Sequence, residues 1–220
     1  MDETVAIIGG SGALGFALAL RWAKAGVDIS IGSREQDRAA EAARKIRDAV
    51  PDAKAAGFAN VEAAAKAAIV VLTVPFAAQA GTINSIKSVM KDKVLVDATV
   101  PLAVAVGGRA TRLLGVWEGS CAQAAQALLP GAAVVSAFHS VSAELLHIEG
   151  MVDCDVLICG DDAAAKQKLS ILVTLIPGMR AVDAGSIEMS RICESMTALL
   201  ISLNRRYKTR HSGIRITGIK

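Results

Sequence analysis

The chain has 220 residues, of which 53% are hydrophobic but only 3% are aromatic. This composition, rich in Ala, Val, Ile and Leu, is typical of Ala-rich helices packed on buried parallel strands, and it excludes disorder or a fibre. The net charge of +3 is too slight an excess for nucleic acid to be the main partner, and the length favours one main domain.

Short runs rich in Val and Ile alternate with amphipathic segments, which is typical of successive βα units around a parallel sheet. Strands are expected near residues 4–9, 27–32, 53–58, 68–74, 93–98, 132–138, 155–159 and 179–183. Helices are expected near 12–25, 35–49, 60–66, 76–90, 120–129, 162–176 and 186–206. We therefore predict an α/β fold of the Rossmann type, with a doubly wound, mostly parallel sheet and a C-terminal helical appendage. The main domain would span 1–184, and the final helix with its basic tail, 185–220, would pack on it.

The hydrophobic stretches stop short of the ~20 residues that a membrane-spanning helix needs. The start, Met1-Asp2-Glu3, lacks the basic residues of a signal peptide, so we expect a cytoplasmic protein without a membrane partner. The cysteines match no metal-binding or redox spacing, and we expect neither a metal site nor disulfides. We interpret all four as buried, small apolar side chains: Cys121, Cys154, Cys159 and Cys193.

The stretch Gly10-Ser11-Gly12-Ala13-Leu14-Gly15 is a G-x-G-x-x-G motif between the first predicted strand and the first helix. In this context Gly10 permits the tight turn, Gly12 lets the backbone approach a pyrophosphate, and Gly15 lets helix and strand pack closely. The free N–H groups and the positive dipole end of the helix would bind the pyrophosphate. The motif therefore predicts a dinucleotide site.

The end of the second predicted strand indicates which dinucleotide binds. NAD-specific sites carry a carboxylate there for the ribose 2′-hydroxyl, but this chain has Ser33 and Arg34. A guanidinium binds a 2′-phosphate bidentately and a serine hydroxyl can donate to it, so the sequence predicts NADP(H). Arg38 would face the same phosphate. The alternative is that Arg34 and Arg38 belong to a solvated helix start among acidic residues.

Three segments are expected to end parallel strands at one crevice: Thr73-Val74-Pro75, Thr99-Val100-Pro101 and Phe138-His139-Ser140. Ligands of open α/β sheets bind outside the carboxyl ends of the strands. We found no nucleophile–base pair. This absence suits a hydride transfer, in which the cofactors carry the chemistry and the protein supplies orientation and exclusion of water.

The chain resembles the NADPH-dependent F420 reductases, also called F420H2:NADP oxidoreductases, over nearly its whole length. The segments that carry the resemblance are "IIGGSGALG", "IGSR", "VLTVPF", "VDATVPL", "VVSAFHS", "CGDD", "VDAGSIEMSRICESMTALL" and "GIRITGI". The resemblance implies an oxidoreductase that transfers a hydride between NADP(H) and the deazaflavin coenzyme F420, its co-substrate. It also implies a homodimer whose other partners are small-molecule cofactors.

The resemblance also implies roles for individual residues. The pyrophosphate contacts are Ser11, Gly12, Ala13 and Leu14, and the 2′-phosphate contacts are Ser33, Arg34 and Arg38. Val74, Val100 and Ala143 lie around the ribose and nicotinamide. The strand-end segments add Thr73, Pro75 and Pro101 as cofactor-binding positions. The catalytic positions are His139 and Val141, which flank the place where the two rings stack. His139 polarises a ring carbonyl or shields the transfer path; the alternative is a structural histidine at a strand end.

Two other functions stay open at this point. One is an NADPH-dependent reductase of a flavin, imine or small carbonyl compound, and the other is a non-catalytic NADP(H)-sensing protein.

The basic tail, with Arg205, Arg206, Lys208 and Arg210, also has two interpretations. It captures the acidic chain of F420, or it is a solvated end that keeps the protein in solution.

Overall fold

Eight strands form a single sheet in the computed structural model of this chain, which describes residues 4–219. The strands are β1 (Val5–Ile8), β2 (Ile29–Ser33), β3 (Ala55–Ala59), β4 (Ile69–Leu72), β5 (Val94–Asp97), β6 (Ala133–Ser136), β7 (Cys154–Gly160) and β8 (Met179–Gly185). Their order is β3-β2-β1-β4-β5-β6-β7-β8, so the winding reverses at β1, as the doubly wound prediction requires. The expectation about a signal peptide rests on Met1-Asp2-Glu3, which lie outside the described residues.

The helices flank this sheet. They are α1 (Ala13–Lys24), α2 (Gln36–Ala49), α3 (Asn60–Ala65), α4 (Phe76–Ile86), α5 (Cys121–Leu128), α6 (Ala143–His147), α7 (Ala163–Thr174) and α8 (Ser190–Tyr207). All seven predicted helices are confirmed, although the one expected over 76–90 changes at Ile86 to a 3-10 turn. The sequence did not predict α6, because five residues are too few to show a helical period. Within residues 4–219, no helix is long and apolar enough to cross a membrane.

One pair of neighbouring strands breaks the parallel pattern. β6 and β7 are antiparallel, with Ser136 opposite Cys159, whereas the other neighbouring pairs are parallel. A parallel return needs a crossover that passes over one face of the sheet. The segment between β6 and β7 contains only the short α6, so the chain turns back at the carboxyl edge. The sheet is thus mostly parallel, as predicted.

Both faces of the sheet are buried, and alternate residues of each central strand supply the two cores. In β1, Val5 and Ile7 pack in one cluster with Leu18 and Trp22 of α1, whereas Ala6 and Ile8 belong to the cluster on the other face. This explains why the strands appear in the sequence as continuous apolar runs. The prediction for the cysteines is confirmed, since all four are free and buried.

The last helix and the residues after it pack against β7 and β8. Cys193 of α8 lies in a small apolar cluster with Leu157 and Cys159 of β7. Beyond α8 the chain folds back, and the carbonyl of Ile214 accepts a 2.7 Å hydrogen bond from the amide of Asp155. The buried Asp155 carboxylate binds Arg180 of β8 and Arg215 of the tail at 2.7 and 2.8 Å. A part of the basic tail therefore neutralises an internal charge.

Candidate functional site

The glycine loop lies between β1 and α1, at the carboxyl edge of the sheet. Helix α1 has Gly12 at its N-cap, with no side-chain cap and no acidic residue in its first turn. The first backbone N–H groups of a helix have no partner within the helix, and its N-terminus carries partial positive charge. This end of α1 therefore fits a pyrophosphate.

The sharp turn of this loop is made by Gly9 and not, as the sequence analysis expected, by Gly10. Gly9 has φ of 83°, a left-handed conformation that favours glycine. Gly10 is required for space, because a Cβ there would lie 2.9 Å from both the Ile7 carbonyl and a methyl group of Ile31. A Cβ on Gly15 would lie 2.5 Å from Thr73 Oγ1, which is the close packing predicted for Gly15.

Two adjoining clefts open beside the loop. The narrower one, of about 170 Å³, brings together the glycine loop, the end of β2 and the end of β4. Its lining includes the predicted site residues Ser11, Gly12, Ser33, Arg34, Arg38, Thr73, Val74 and Pro75. The wider cleft, of about 540 Å³, shares Ser11, Gly12 and Arg38 with it and reaches Ala13. Residues from three separated segments thus form one continuous depression.

The two arginines predicted for the 2′-phosphate differ in their surroundings. Arg38 Nε lies 3.0 Å from Glu35 Oε2, an exposed ion pair within one helical turn. Arg34 is exposed at the cleft and has no ion-pair partner in the part of the chain that the structure describes. Ser33 is buried, and its Oγ accepts a 3.2 Å hydrogen bond from the Glu35 amide. Arg34 is therefore the cation that is available to a phosphate.

The cleft also contains Asn60, a polar residue that the sequence analysis missed. Asn60 begins α3, directly after β3, and is buried. Its Oδ1 has no hydrogen-bond partner among the described residues, and a buried acceptor without a partner is costly. A ribose or base donor would satisfy it. The only sequence signal is an asparagine at a strand–helix junction.

The remaining predicted residues lie further along the same edge. Val100 and Pro101 follow β5, and His139, Val141 and Ala143 follow β6, the strand next to β5. Val141 and His139 are buried and Val100 is half-buried. Leu14 is on the first turn of α1 and is also half-buried. None of these six lines the two clefts, so the structure divides the predicted site into a cleft and an adjoining buried wall.

His139 is buried, and its imidazole is hydrogen-bonded to a backbone carbonyl. Burial lowers the pKa of its imidazole to about 4, opposed by a hydrogen bond to the backbone carbonyl of Asp97, so the ring is neutral near pH 7. Its Nε2 has no partner among residues 4–219. The preceding Phe138 has φ of 68°, a strained conformation for a bulky residue, and stacks edge-on against Trp22 at 5.8 Å.

Two buried carboxylic acids behind this wall were also missed by the sequence analysis. Burial raises the pKa of Asp97, at the end of β5, to about 6, opposed by hydrogen bonds from Thr99 and Gln79. Burial likewise raises the pKa of Glu194, on α8, to about 7, opposed by hydrogen bonds from the amides of Cys121 and Ala122. No motif indicates either acid, because their partners are distant in sequence.

The fold and the cleft define a dinucleotide-binding protein of the Rossmann type. The family model "NADP oxidoreductase coenzyme F420-dependent" matches residues 4–101. An F420-dependent NADP reductase of Methanothermobacter marburgensis is 44% identical, over 98% of each chain. The chain belongs to this family, and the resemblance stated from its sequence is confirmed.

Solved structures agree at the level of the fold. A crystal structure from Arthrobacter sp. FB24, of a chain assigned as an F420-dependent NADP-reductase, matches with a TM-score of 0.83 and 25% identity, over 98% of this chain and 99% of that one. An imine reductase of Myxococcus stipitatus matches with a TM-score of 0.65 and 19% identity, over 94% of this chain but 63% of that one. The second likeness shows the fold alone.

Proposed function

We propose that this protein transfers a hydride between NADP(H) and coenzyme F420. The observation that carries the proposal is the position of Arg34, a cation without an ion-pair partner among residues 4–219, in the same cleft as the glycine loop and in a chain of the F420-dependent NADP reductase family. NADP(H), when bound, supplies the nicotinamide carbon that gives or accepts the hydride. The protein itself binds the two cofactors, orients them and excludes water from the reacting atoms.

Each part of the site has a separate task in this proposal. The first turn of α1 and Ser11 hold the pyrophosphate, and Arg34 with Ser33 holds the 2′-phosphate. Thr73, Val74 and Pro75 contact the ribose side, and Val100 and Ala143 contact the nicotinamide. His139 and Val141 cover the reacting carbons and exclude water. Because the His139 imidazole is neutral and buried, it orients the rings and is not an obligatory acid or base.

The test is a spectrophotometric assay of NADPH oxidation with purified F420, compared with FMN and FAD as acceptors. We expect rapid reduction of F420 alone and no comparable reaction with NADH. The comparisons do not favour a reductase of flavins, imines or carbonyl compounds or an NADP(H) sensor. Turnover with FMN or FAD but not F420 would support the first alternative, and binding without turnover the second.

We propose further that two copies of the chain associate through α8. Four apolar residues recur on one face of that helix with the spacing of a helix–helix seam: Ile192, Met196, Leu199 and Leu203. Leu199 is 58% exposed and Ile192 is 47% exposed, whereas Met196 is half-buried against the cluster of Leu157, Cys159 and Cys193, so the outer part of this face is open to a second copy. A second copy would cover it by a twofold contact.

Light scattering after gel filtration tests the dimer. Leu199→Arg should convert a dimer into a monomer, whereas Ile171→Arg, on the exposed part of α7, should leave the mass unchanged. A monomeric unmodified protein would refute the dimer.

We also propose a cytoplasmic location, which four cysteines without a disulfide support.

A further inference from the structure

A chain of buried hydrogen bonds begins at Glu194 of α8. Glu194 is only 2% exposed, and its two carboxylate oxygens accept from the amides of Cys121 and Ala122 at 2.9 and 3.2 Å. These amides open α5. Ser120 already caps that helix by accepting a 3.1 Å hydrogen bond from Gln123. Glu194 is therefore an additional anchor, which joins α5 to α8 through a buried carboxylate.

The hydrogen bonds continue from α5 to the end of β5. Gln79 Nε2 shares its two N–H groups among the Cys121 carbonyl at 3.0 Å, Thr99 Oγ1 at 2.8 Å and the Asp97 carboxylate. Asp97 Oδ1 accepts a 2.8 Å bond from the Thr99 amide. A series of hydrogen bonds that begins at Glu194 thus fixes the backbone directly before Val100.

The same helix fixes the segment after β6. Thr197 Oγ1 donates a 2.7 Å hydrogen bond to the carbonyl of His139. Residues three apart in a helix lie on one face, so Glu194 and Thr197 act from the same side of α8. One rigid helix therefore positions both loop segments that would enclose the nicotinamide.

We propose that Glu194 is a positioning residue for hydride transfer, which holds the segment 99–101 at its working distance from the segment 138–141. The inference rests on the proposed function. Hydride transfer requires the two reacting carbons in near-contact geometry, and a displacement of about 1 Å can cost on the order of 100-fold in rate. The adenosine half of the cofactor binds in the cleft on the far side of β4 and would not sense the change.

The experiment compares four variants in the full-length protein. Glu194→Gln keeps the shape of the side chain but leaves only one acceptor oxygen for two amides. Gln79→Met removes the side-chain hydrogen bonds that connect α5 to the end of β5. The double variant combines the two changes. Asp162→Ala is the matched control, since its carboxylate also accepts from a helix-opening amide, that of Ala165 at 2.7 Å, but at the opposite edge of the sheet.

We expect Glu194→Gln to lower kcat about 10-fold with little change in the KM for NADPH, the signature of an interaction that acts on the transition state. Gln79→Met should lower kcat at least as much, and the double variant should be no slower than Gln79→Met alone. Hydrogen exchange of the protein without cofactor gives a second readout. The amides of residues 97–100 should exchange faster in Glu194→Gln and not in Asp162→Ala.

Three results would overturn the inference. The first is a Glu194→Gln variant that loses only thermal stability, as we expect for Asp162→Ala. The second is a double variant whose losses multiply, because Glu194 would then not act through Gln79. The third is unchanged amide exchange over residues 97–100. If the unmodified protein does not oxidise NADPH with F420, the proposed function fails, while the exchange measurement still tests the positioning role.

Discussion

The hydroxyl of Thr197 donates a 2.7 Å hydrogen bond to the backbone carbonyl of His139, 58 residues earlier in the chain. This contact ties the middle of α8 to the segment after β6. It helps to explain how Phe138 keeps its left-handed backbone, since strained residues persist only where the surroundings hold them. The C-terminal helix is therefore a structural part of the site.

Replacement of Arg34 by alanine should abolish the preference for NADPH. Loss of a charge-assisted contact to the 2′-phosphate costs about 1.5–3 kcal/mol, so the Kd for NADPH should rise about 10- to 100-fold while that for NADH stays nearly constant. Fluorescence titration measures both constants. Arg44→Ala is the control, because Arg44 is on α2, the helix that follows Arg34, but pairs with Glu41 and Asp48. Equal affinity of the unmodified protein for the two nucleotides would contradict the assignment.

His139→Ala should slow hydride transfer by about 10-fold and leave NADPH affinity nearly intact. General acids and bases usually contribute ~10²–10⁴-fold, and a buried imidazole that is neutral near pH 7 is a poor candidate for that role. Because its pKa is lowered to about 4, the pH–rate profile of the unmodified enzyme should show no limb from His139 above pH 5. Single-turnover kinetics with His147→Ala as control test this. A loss of 10⁴-fold with a shifted pH profile would contradict it.

Asp155→Asn should destabilise the protein by about 3 kcal/mol, because two guanidinium groups lose their buried partner. The hydrogen bonds from Arg180 and, less strongly, from the Ile216 amide and Arg215 hold the pKa of Asp155 far below its usual value, against the effect of burial. A lowered pKa contributes stability that is present above about pH 4 and is lost as the pH falls through the folded value. The variant should therefore lose less stability between pH 5 and pH 3 than the unmodified protein does.

Urea unfolding at several pH values measures this difference. Asp48→Asn is a matched control, since it breaks an exposed ion pair with Arg44 that should contribute under about 0.5 kcal/mol. An Asp155 variant as stable as this control would show that the tail does not depend on the buried carboxylate.

The basic end of α8 should set the salt dependence of F420 binding. Arg210 and Arg215 are already paired with Glu144 and with Asp155, which leaves Arg205, Arg206 and Lys208 as the exposed cations of the tail without an ion-pair partner among residues 4–219. F420 carries a phosphodiester and a glutamate chain, so its KM should rise with ionic strength, because exposed charges are screened beyond ~10 Å at 0.1 M salt. Replacing the three cations by Gln should raise this KM at low salt and flatten its salt dependence.

The KM for NADPH should not change in that triple variant. Gln at Lys24, Lys87 and Lys91, at the amino edge of the sheet, controls for the loss of three positive charges. If the triple variant keeps the original KM and salt slope, the tail only keeps the protein in solution.

Local patterns in the sequence were enough to predict a doubly wound, mostly parallel sheet and the glycine loop at its carboxyl edge. A strand buried on both faces is a continuous apolar run, and a phosphate loop needs glycines at a fixed spacing over six residues. Arg34 could be assigned to the end of β2 from its position in the sequence alone. For these features, the physical cause lies within one βα unit.

Contacts between distant segments were decided only by the tertiary structure. The bond between Glu194 and the Cys121 amide spans 73 residues, and the bond between Arg215 and Asp155 spans 60. Neither Glu194 nor Asp155 belongs to a periodic sequence pattern. A buried polar group is satisfied by a partner that is close in space, and that partner is not a neighbour in sequence. The reversal at β7 had the same origin, since the direction of a strand depends on where its connection can pack.

The sequence by itself thus determined the doubly wound fold, the glycine loop and the positive charge at the end of β2, since each is encoded in side chains a few residues apart. The tertiary structure decided which glycine makes the turn, how part of the basic tail is neutralised, and which buried acids support the wall around His139. These depend on desolvation and hydrogen bonding between segments that meet only when the sheet has formed.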